Sequence, residues 1–260
     1  MSQRLEAFTL FSSSKGNSAL FRYGQECVLI DAGVSARALN ASLQALGTSL
    51  YEIRAIFVTH EHSDHIKGLE TISKAFSIPI YAPYLCCRAI RAKCPSAAGL
   101  LCSLDGPIEL GPFLMQPFPT PHDAEDSVCY RVEAGTADIG HLTAEIGRCI
   151  LGCDAVVLES NHDIDMLKNG AYPLPLKKRI LGAYGHLSNR SCAAALPRLV
   201  ESGVRRIVLA HLSPENNRPA LAYSESRGAL AARSITVAGE SVSADVSLAV
   251  ASPCEPVRVL

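Results

Sequence analysis

Short apolar runs alternate with turn-forming residues near the start of the chain. The runs at residues 7–11, 19–23 and 27–30 are separated by Gly16-Asn17 and by Gly24. Because Gly and Asn favour turns, apolar runs of four or five residues between them are typical of β-strands. This part of the chain is therefore predicted to form an antiparallel meander.

Further along, segments with helical spacing alternate with apolar strands. The periodicity predicts helices at residues 34–46, 66–76, 83–93, 141–146, 188–202 and 219–233. Strands are predicted at residues 53–58, 78–81, 113–118, 128–133, 136–139, 155–158, 206–210, 235–237 and 246–251. Residues 95–112 contain many turn-forming residues and are predicted to be irregular. Strands interleaved with helices in two halves predict an α/β fold with two sheets.

A cluster of potential metal ligands directly follows the apolar run at residues 53–58. It contains His60, His62, Asp64 and His65. An extended segment directs His60 and His62 to the same side, and the other two face a second point after the chain turns. Neutral imidazole and carboxylate are the ligands of hydrolytic zinc and manganese sites. The cluster predicts half-sites for two divalent metal ions, since a polar loop with incidental histidines does not account for this spacing.

The composition suits one large domain over residues 1–260, because 48% of the residues are hydrophobic and can form a sizeable core. The formal net charge is −1, so any nucleic-acid surface must be local. The first residues contain no apolar signal core, and no run approaches the length of a membrane-spanning helix. We therefore expect no membrane association and a cytoplasmic location.

The ten cysteines are expected to be reduced thiols in such a compartment. Cys86, Cys87, Cys94 and Cys102 are either small apolar residues in a helix and its following loop or ligands of a thiolate metal site. Structural zinc usually uses cysteines paired at short spacing, and no C-x-x-C pair is present. The apolar interpretation is therefore favoured.

The motif H-x-H-x-D-H after an apolar strand resembles the signature of the metallo-β-lactamase fold superfamily. Four more segments are similar to the remaining superfamily motifs and follow in the expected order. They contain Asp31 in VLIDAG, His122 in TPHDAED, Asp138 in TADIG and His211 in VLAHLS. The resemblance implies a four-layer αββα sandwich, in which two mixed sheets are flanked by helices and the site lies along one edge.

The resemblance also implies roles for these residues. One metal ion would be held by His60, His62 and His122, the other by Asp64, His65 and His211, with Asp138 bridging both. Two ions that share a water lower its pKa toward neutrality, so hydrolysis would need no side-chain nucleophile. Asp31 either orients a neighbouring ligand without touching the metal or is the N-cap of the helix that starts near residue 34.

A narrower resemblance covers about residues 8–217. The segments SSSKGNS, ESNHD, YPLPLKKRI, GHLSN and HLSPENN are similar to the YycJ/WalJ branch of the superfamily. Members of this branch are bacterial metal-dependent nucleases described as 5′-to-3′ DNA exonucleases, which implies a nucleic acid substrate, DNA rather than RNA. Ser13 departs from the branch, in which Gly is usual, but no metal ligand is affected.

Three histidines are not needed as ligands. His186 precedes a predicted helix start, where it either binds or protonates a substrate phosphate or is a surface loop histidine. Together with Asp31 and Asp64 it is a candidate catalytic residue. His162 either lines the substrate path or forms local hydrogen bonds, and His141 is expected to have no role.

Two basic runs, at residues 177–179 and 205–206, are either solvated faces or surfaces that follow a nucleic-acid backbone. The segment between Asp138 and His211 is too short to contain a β-CASP domain. Two alternatives to an exonuclease remain: a hydrolase of this fold acting on a small cyclic phosphodiester or thioester, and a metal-binding module without catalysis. The sequence leaves the oligomeric state and the choice between zinc and manganese open.

Overall fold

The structure is a computed structural model that describes residues 4–134, 151–182, 185–239 and 244–260. Its strands are β1 (Leu5–Ser13), β2 (Gly16–Tyr23), β3 (Glu26–Ile30), β4 (Ile53–Phe57), β5 (Ile80–Pro83), β6 (Leu101–Leu104), β7 (Ile108–Leu110), β8 (Phe113–Pro119), β9 (Val128–Ala134), β10 (Ala155–Glu159), β11 (Arg206–Ala210), β12 (Ser247–Val250) and β13 (Val257–Arg258). Its helices are α1 (Ala36–Ala45), α2 (Ser63–Ile66), α3 (Leu69–Ala75), α4 (Tyr84–Lys93), α5 (Ile164–Asn169), α6 (Leu174–Ile180), α7 (Asn189–Glu201) and α8 (Pro219–Ala231).

The larger sheet has seven strands in the order β13-β1-β2-β3-β4-β5-β6. Strands β1 to β3 form the predicted antiparallel meander, and β3 to β6 are parallel. Helices α1, α3 and α4 cover one face of this sheet, where Leu39, Leu43, Ile72 and Ile90 are buried. The helices cover the sheet because parallel strands need long crossover connections, whereas antiparallel strands are joined by short turns.

The opposite face packs against two three-stranded sheets, the antiparallel β7-β8-β9 and the parallel β10-β11-β12. Phe113 of β8 is buried with Phe57 of β4, and Val208 of β11 is buried with Ala7 of β1. Helices α7 and α8 cover the outer face of the parallel sheet. These layers confirm the predicted αββα sandwich, with the second β layer formed from two separate sheets across the ranges described.

The parallel strands end at one edge of the sandwich, where they position the candidate site. Asp31 follows β3, Thr59 lies just after β4, Glu159 ends β10, and His211 follows β11. Carboxyl ends of parallel neighbours meet at the same edge, so residues distant in sequence come together there. Asp31 and His211 have positive φ angles of 60° and 56°. Such backbone is uncommon outside glycine and is concentrated at functional sites.

Some predicted elements differ from the structure. The prediction that residues 95–112 are irregular was wrong, because β6 pairs with β5 and β7 pairs with β8. The helix predicted at residues 66–76 is divided into α2 and α3 at Gly68, where a Cβ would lie 2.5 Å from the carbonyl oxygen of Val34. Residues 235–237 form no strand, and Val237 makes only an isolated bridge to Val246. Helices α5 and α6 have no counterpart among the predicted elements.

The predicted strand at residues 136–139 and helix at residues 141–146, with Asp138 and His141, lie outside the described residues. No helix in the described ranges is long and apolar enough to cross a membrane.

The cysteines after β5 do not gather as a metal site. Cys86, Cys87 and Cys94 are buried, and the thiol of Cys87 donates a hydrogen bond to the carbonyl oxygen of Ala82. Within the part of the chain that the structure describes, no cysteine belongs to a group that could hold a metal ion. The thiolate-site alternative was therefore wrong.

Candidate metal centre

His60, His62 and His122 form a first group of potential ligands, named here the three-histidine group. His60 and His62 follow β4, and His122 lies in the loop between β8 and β9. The ring centroid of His60 is 4.6 Å from those of both His62 and His122, which are 5.0 Å from each other. One nitrogen of each ring lies within 4.8 Å of the others. The three imidazoles thus surround one point.

These imidazoles are neutral at pH 7. Burial lowers the pKa of His60, and the neighbouring imidazoles lower it further. Burial also lowers the pKa of His62 and brings the pKa of His122 down to about 4. Because neutral imidazole is the form that binds metal ions, this group accepts a cation without first losing protons.

Asp64, His65 and His211 form a second group, named here the Asp64 group. An oxygen of Asp64 lies 3.5 Å from Nε2 of His65 and 3.8 Å from Nε2 of His211. The Nε2 atom of His211 is buried and has no hydrogen-bond partner in the protein. A buried polar atom without a partner is destabilising, and a metal ion at this point would remove that cost.

Asp31 and Glu159 orient the two imidazoles of the Asp64 group. The Nδ1 atom of His65 donates to Oδ2 of Asp31, and that of His211 donates to Oε1 of Glu159, both at 2.7 Å. Since an ionised carboxylate only accepts hydrogen bonds, both rings carry their proton on Nδ1. Nε2 of each ring is therefore the nitrogen that a metal ion could bind, a typical arrangement around metal-ligating histidines.

Asp31 also reaches the three-histidine group through Thr59. It accepts hydrogen bonds from the backbone N–H and the hydroxyl of Thr59, both at 2.8 Å. The Thr59 oxygen lies 2.9 Å from Nδ1 of His60 and accepts the proton of that ring, because its own proton is directed to Asp31. The alternative that Asp31 is an N-cap was wrong, since Ser35 caps α1.

His186 shares Glu159 with His211. Its Nδ1 donates to Oε1 of Glu159 at 2.7 Å, and the N–H of Leu187 donates to the other carboxylate oxygen at 2.9 Å. The ring centroid of His186 is 5.2 Å from that of His211 and 6.0 Å from that of His122. His186 therefore lies between the two groups. Glu159, His186 and His211 also lie close enough to hold a metal ion. The hydrogen bonds from both imidazoles to the Glu159 carboxylate account for this proximity.

Carboxylates determine the protonation of the Asp64 group. Burial acts to lower the pKa of His211, but the nearby carboxylates of Asp64 and Glu159 outweigh it and raise this pKa to about 9. Burial acts to raise the pKa of Glu159, but the hydrogen bonds from His186 and His211 hold it well below its usual range. The pKa of Asp64 is also lowered, because His211 and His65 outweigh the effect of burial. The resulting negative charge favours a cation.

Asn17 holds Asp64 from the side of the first hairpin. Its amide accepts from the N–H of Ser13 and donates to the carbonyl oxygen of Ser13, which fixes its orientation. Its Nδ2 atom lies 3.1 Å from Oδ2 of Asp64 and 3.2 Å from Nε2 of His65. Gly33 permits this approach, because a Cβ there would lie 1.6 Å from the carbonyl oxygen of Asp64.

Both groups line one cavity of about 550 Å³, together with His186 and Arg179 of α6. Arg179 forms an ion pair with Asp123, which lies in the loop between β8 and β9. The Asp123 carboxylate is 3.4 Å from Nδ1 of His122. The cavity thus combines potential metal ligands, a cation and a histidine, a set suited to hydrolysis of a negatively charged ester.

The structure brings together the predicted ligands that it describes: His60, His62, Asp64, His65, His122 and His211. Asp138 is outside the described residues.

His162 is 1% exposed, does not line the cavity, and has no hydrogen-bond partner on either ring nitrogen. From the basic run, Lys177 donates to the carbonyl oxygens of Lys168 and Gly170, whereas Arg179 lines the cavity.

Two residues without a predicted role lie close to the ligands, Glu159 and Asn17. Both occur in segments that carried the narrower resemblance, ESNHD and SSSKGNS. An acid at the end of an apolar strand was the available signal for Glu159, since Asp31 likewise follows the apolar run at residues 27–30.

Comparison with known proteins agrees with this geometry. The family model of the beta-lactamase superfamily domain matches residues 26–212. The chain is 33% identical over 222 residues to exodeoxyribonuclease YycJ of Bacillus anthracis, covering 82% of this chain and 84% of that protein. It is 30% identical over 225 residues to exodeoxyribonuclease WalJ of Streptococcus pneumoniae serotype 2 (strain D39 / NCTC 7466), again covering 82% and 84%.

Among solved structures, Zn²⁺-bound PqqB from Methylobacterium extorquens matches with a TM-score of 0.61 at 17% identity, covering 97% of this chain and 99% of that one. This likeness shows a shared fold. The predicted resemblance, fold class and metal-dependent hydrolase class are confirmed. The chain therefore belongs to the beta-lactamase superfamily, as a metal-dependent hydrolase of the YycJ and WalJ branch.

Proposed function

We propose that this protein is an exodeoxyribonuclease that removes nucleotides from DNA in the 5′-to-3′ direction. The observation that carries the proposal is the cavity in which His186 and Arg179 face two groups of metal ligands. Such a cavity suits a substrate with negatively charged phosphodiester groups. The names of YycJ and WalJ, both exodeoxyribonucleases, support DNA as the polymer.

The donor set suits two divalent ions, zinc or manganese. The three-histidine group offers three imidazoles, and the Asp64 group offers two imidazoles and a carboxylate. Asp138 is proposed, from the resemblance, as a carboxylate shared by both ions. Bound ions would lower the pKa of a coordinated water and offset the charge of the phosphodiester.

Asp138→Ala is expected to remove hydrolysis and to weaken at least one metal site. Metal content by plasma mass spectrometry and turnover on DNA are the two measurements. Full occupancy with unchanged turnover would contradict the shared-ligand role.

His186 is proposed to protonate the leaving oxygen of the substrate. Because its Nδ1 donates to Glu159, its Nε2 is the atom that can hold the transferred proton, and the carboxylate fixes the orientation of the ring. A placed general acid typically contributes about 10²–10⁴-fold, so His186→Ala should slow the chemical step within that range and leave the metal content intact. A loss confined to KM would instead indicate phosphate binding.

A time course on end-labelled DNA tests the function directly. Single-stranded and double-stranded DNA, with RNA of the same sequence, would be incubated with protein loaded with zinc or with manganese. The expected result is release of the 5′ label first, faster from DNA than from RNA. Hydrolysis of a cyclic nucleotide or a thioester without cleavage of either polymer would support the small-substrate alternative. Bound metal without turnover on any ester would support a non-catalytic module.

A further inference from the structure

A second, smaller cavity of about 190 Å³ adjoins the metal cavity. The two share part of their lining, including Arg179, Gly185 and His186. The smaller cavity is lined in addition by Tyr172 and Ser213. The hydrolytic step described above makes no use of this space.

A hydrogen bond to the end of α6 holds His186 at the boundary between the two cavities. The N–H of His186 donates to the carbonyl oxygen of Ile180 at 3.0 Å. A Cβ on Gly185 would lie 2.2 Å from the same oxygen, so the chain approaches the helix closely only because this residue is glycine. A group bound in the smaller cavity therefore lies beside both His186 and Arg179.

Arg179 is the residue of the smaller cavity that can bind an anion. Among the described residues it is the one lysine or arginine that lines either cavity. Its partner is Asp123 on the opposite loop, and 62% of the Arg179 side chain remains exposed. A guanidinium binds phosphate through paired hydrogen bonds. A phosphate monoester carries about 1.5 to 2 negative charges at pH 7, so it competes effectively with the single charge of Asp123.

We propose that the smaller cavity binds the 5′-phosphate and the terminal nucleotide of the DNA strand, an inference that rests on the proposed nuclease function. Arg179 binds the phosphate, and the ring of Tyr172 contacts the base, since aromatic side chains stack on nucleobases with little sequence preference. The limited volume accepts a chain end rather than a continuing strand. Cleavage therefore starts at the terminus.

The reaction is consistent with this placement. The next phosphodiester along the strand lies in the metal cavity, and water adds to its phosphorus. The bond from phosphorus to the 3′-oxygen of the terminal nucleotide breaks, and His186 gives its proton to that oxygen. The released nucleotide leaves the smaller cavity, and the shortened strand carries a new 5′-phosphate that can enter it.

Kinetics on two matched DNA substrates test the proposal. Wild-type kcat/KM should be about 10–100-fold higher for a 5′-phosphorylated end than for a 5′-hydroxyl end, the scale of a hydrogen bond to a charged group. Arg179→Gln should reduce this preference by slowing the phosphorylated substrate more than the 5′-hydroxyl substrate, and Arg179→Lys should retain part of it. Arg88→Gln changes an exposed helical arginine that lines neither cavity, and it should keep the full preference.

Two kinetic outcomes would overturn the proposal. Equal wild-type rates on both ends would remove the end-binding role, and an Arg179→Gln variant that slows both substrates equally would place Arg179 on the scissile phosphate instead.

Calorimetry with deoxyadenosine monophosphate separates this inference from the function on which it rests. Binding that is weaker for deoxyadenosine and is lost in Arg179→Gln supports the cavity even if no DNA is cleaved. Failure of the wild-type protein to bind the monophosphate better than the nucleoside overturns it even if DNA is cleaved.

Discussion

The three-histidine group and the Asp64 group line the same cavity, but the protein supports them differently. In the three-histidine group, one ring is held by a hydroxyl, that of Thr59. In the Asp64 group, Asp31 and Glu159 each accept a hydrogen bond from a ligand imidazole, and Asn17 contacts the carboxylate of Asp64. The hydrogen bond that supports the three-histidine group thus comes from a neutral oxygen, with the Asp123 carboxylate 3.4 Å from Nδ1 of His122. The imidazoles of the Asp64 group are instead hydrogen-bonded to carboxylates.

The comparison separates two ways to prepare a metal site. Burial keeps the imidazoles of the three-histidine group neutral, so a cation can bind them without displacing protons. In the Asp64 group the carboxylates raise the pKa of His211 to about 9, so near neutral pH a proton occupies the position of the metal-binding nitrogen. A metal ion must displace that proton, and we expect the two sites to respond differently to mutation and to pH.

Asp64→Ala is expected to have the largest effect, because among the described ligands Asp64 is the one carboxylate. Activity on DNA should fall by at least about 10²–10³-fold, the scale for removal of one charge-stabilising group. The metal content, measured by plasma mass spectrometry, should fall by about one equivalent. His62→Ala is the matched change in the other group. Loss of both ions in either variant would show that the groups do not bind independently.

Sequence reasoning locates the ligands well because their positions follow strand ends. His60 to His65 lie in one segment after β4, and the apolar run before them is long enough to be recognised. The hydrogen-bond partners are harder to predict. Asn17 is 47 residues from Asp64, and Glu159 is 52 residues from His211. Such pairs meet only after the sheets have packed, so a strand-end acid such as Glu159 can be recognised in the sequence but its partner cannot.

Strand β6 and helix α6 were not predicted, and each has a physical reason. Strand β6 lies at the edge of its sheet, where Leu104 is its one buried residue, so the apolar pattern is weak. Helix α6 follows Pro173 and contains Pro175 in its first turn, which resembles a helix-breaking segment. Proline is tolerated at that position because the first N–H groups of a helix have no partner within it.

The pH dependence of metal binding should show the second-largest difference between the two groups. Below a pKa of about 9 for His211, each unit of pH lowers the affinity of the Asp64 group about tenfold, because only neutral imidazole binds the ion. Between pH 8 and pH 6 this amounts to about 100-fold. The three-histidine group should change little in that window, since the pKa of His122 is about 4 and that of His60 is also lowered. Calorimetric titration of the metal-free protein would measure both affinities, and a parallel decline would contradict the comparison.

Asp31→Asn and Glu159→Gln form a matched pair that tests how far each carboxylate acts. Loss of such a partner commonly costs about 10–100-fold in metal affinity. Asp31→Asn should weaken both groups, because Asp31 contacts His65 directly and His60 through Thr59. Asparagine tolerates the positive φ at this position, so the backbone is not strained. Glu159→Gln should weaken the Asp64 group alone. If both variants lowered the metal affinities of both groups equally, Asp31 and Glu159 would not differ in the groups that they support.

Thr59→Val should have the smallest effect, and it tests the weaker support of the three-histidine group. The Thr59 oxygen accepts the Nδ1 proton of His60, and valine has nearly the same shape without that oxygen. A neutral hydrogen bond contributes about 1 kcal/mol net, so the affinity of the three-histidine group should fall about fivefold. Thr59→Ser keeps the oxygen and should behave like the wild type. Because Asp31 still accepts the N–H of residue 59 and contacts His65, the Asp64 group should be affected less. A larger loss at the Asp64 group would mean that the hydroxyl mainly positions Asp31, and that both groups depend on that carboxylate.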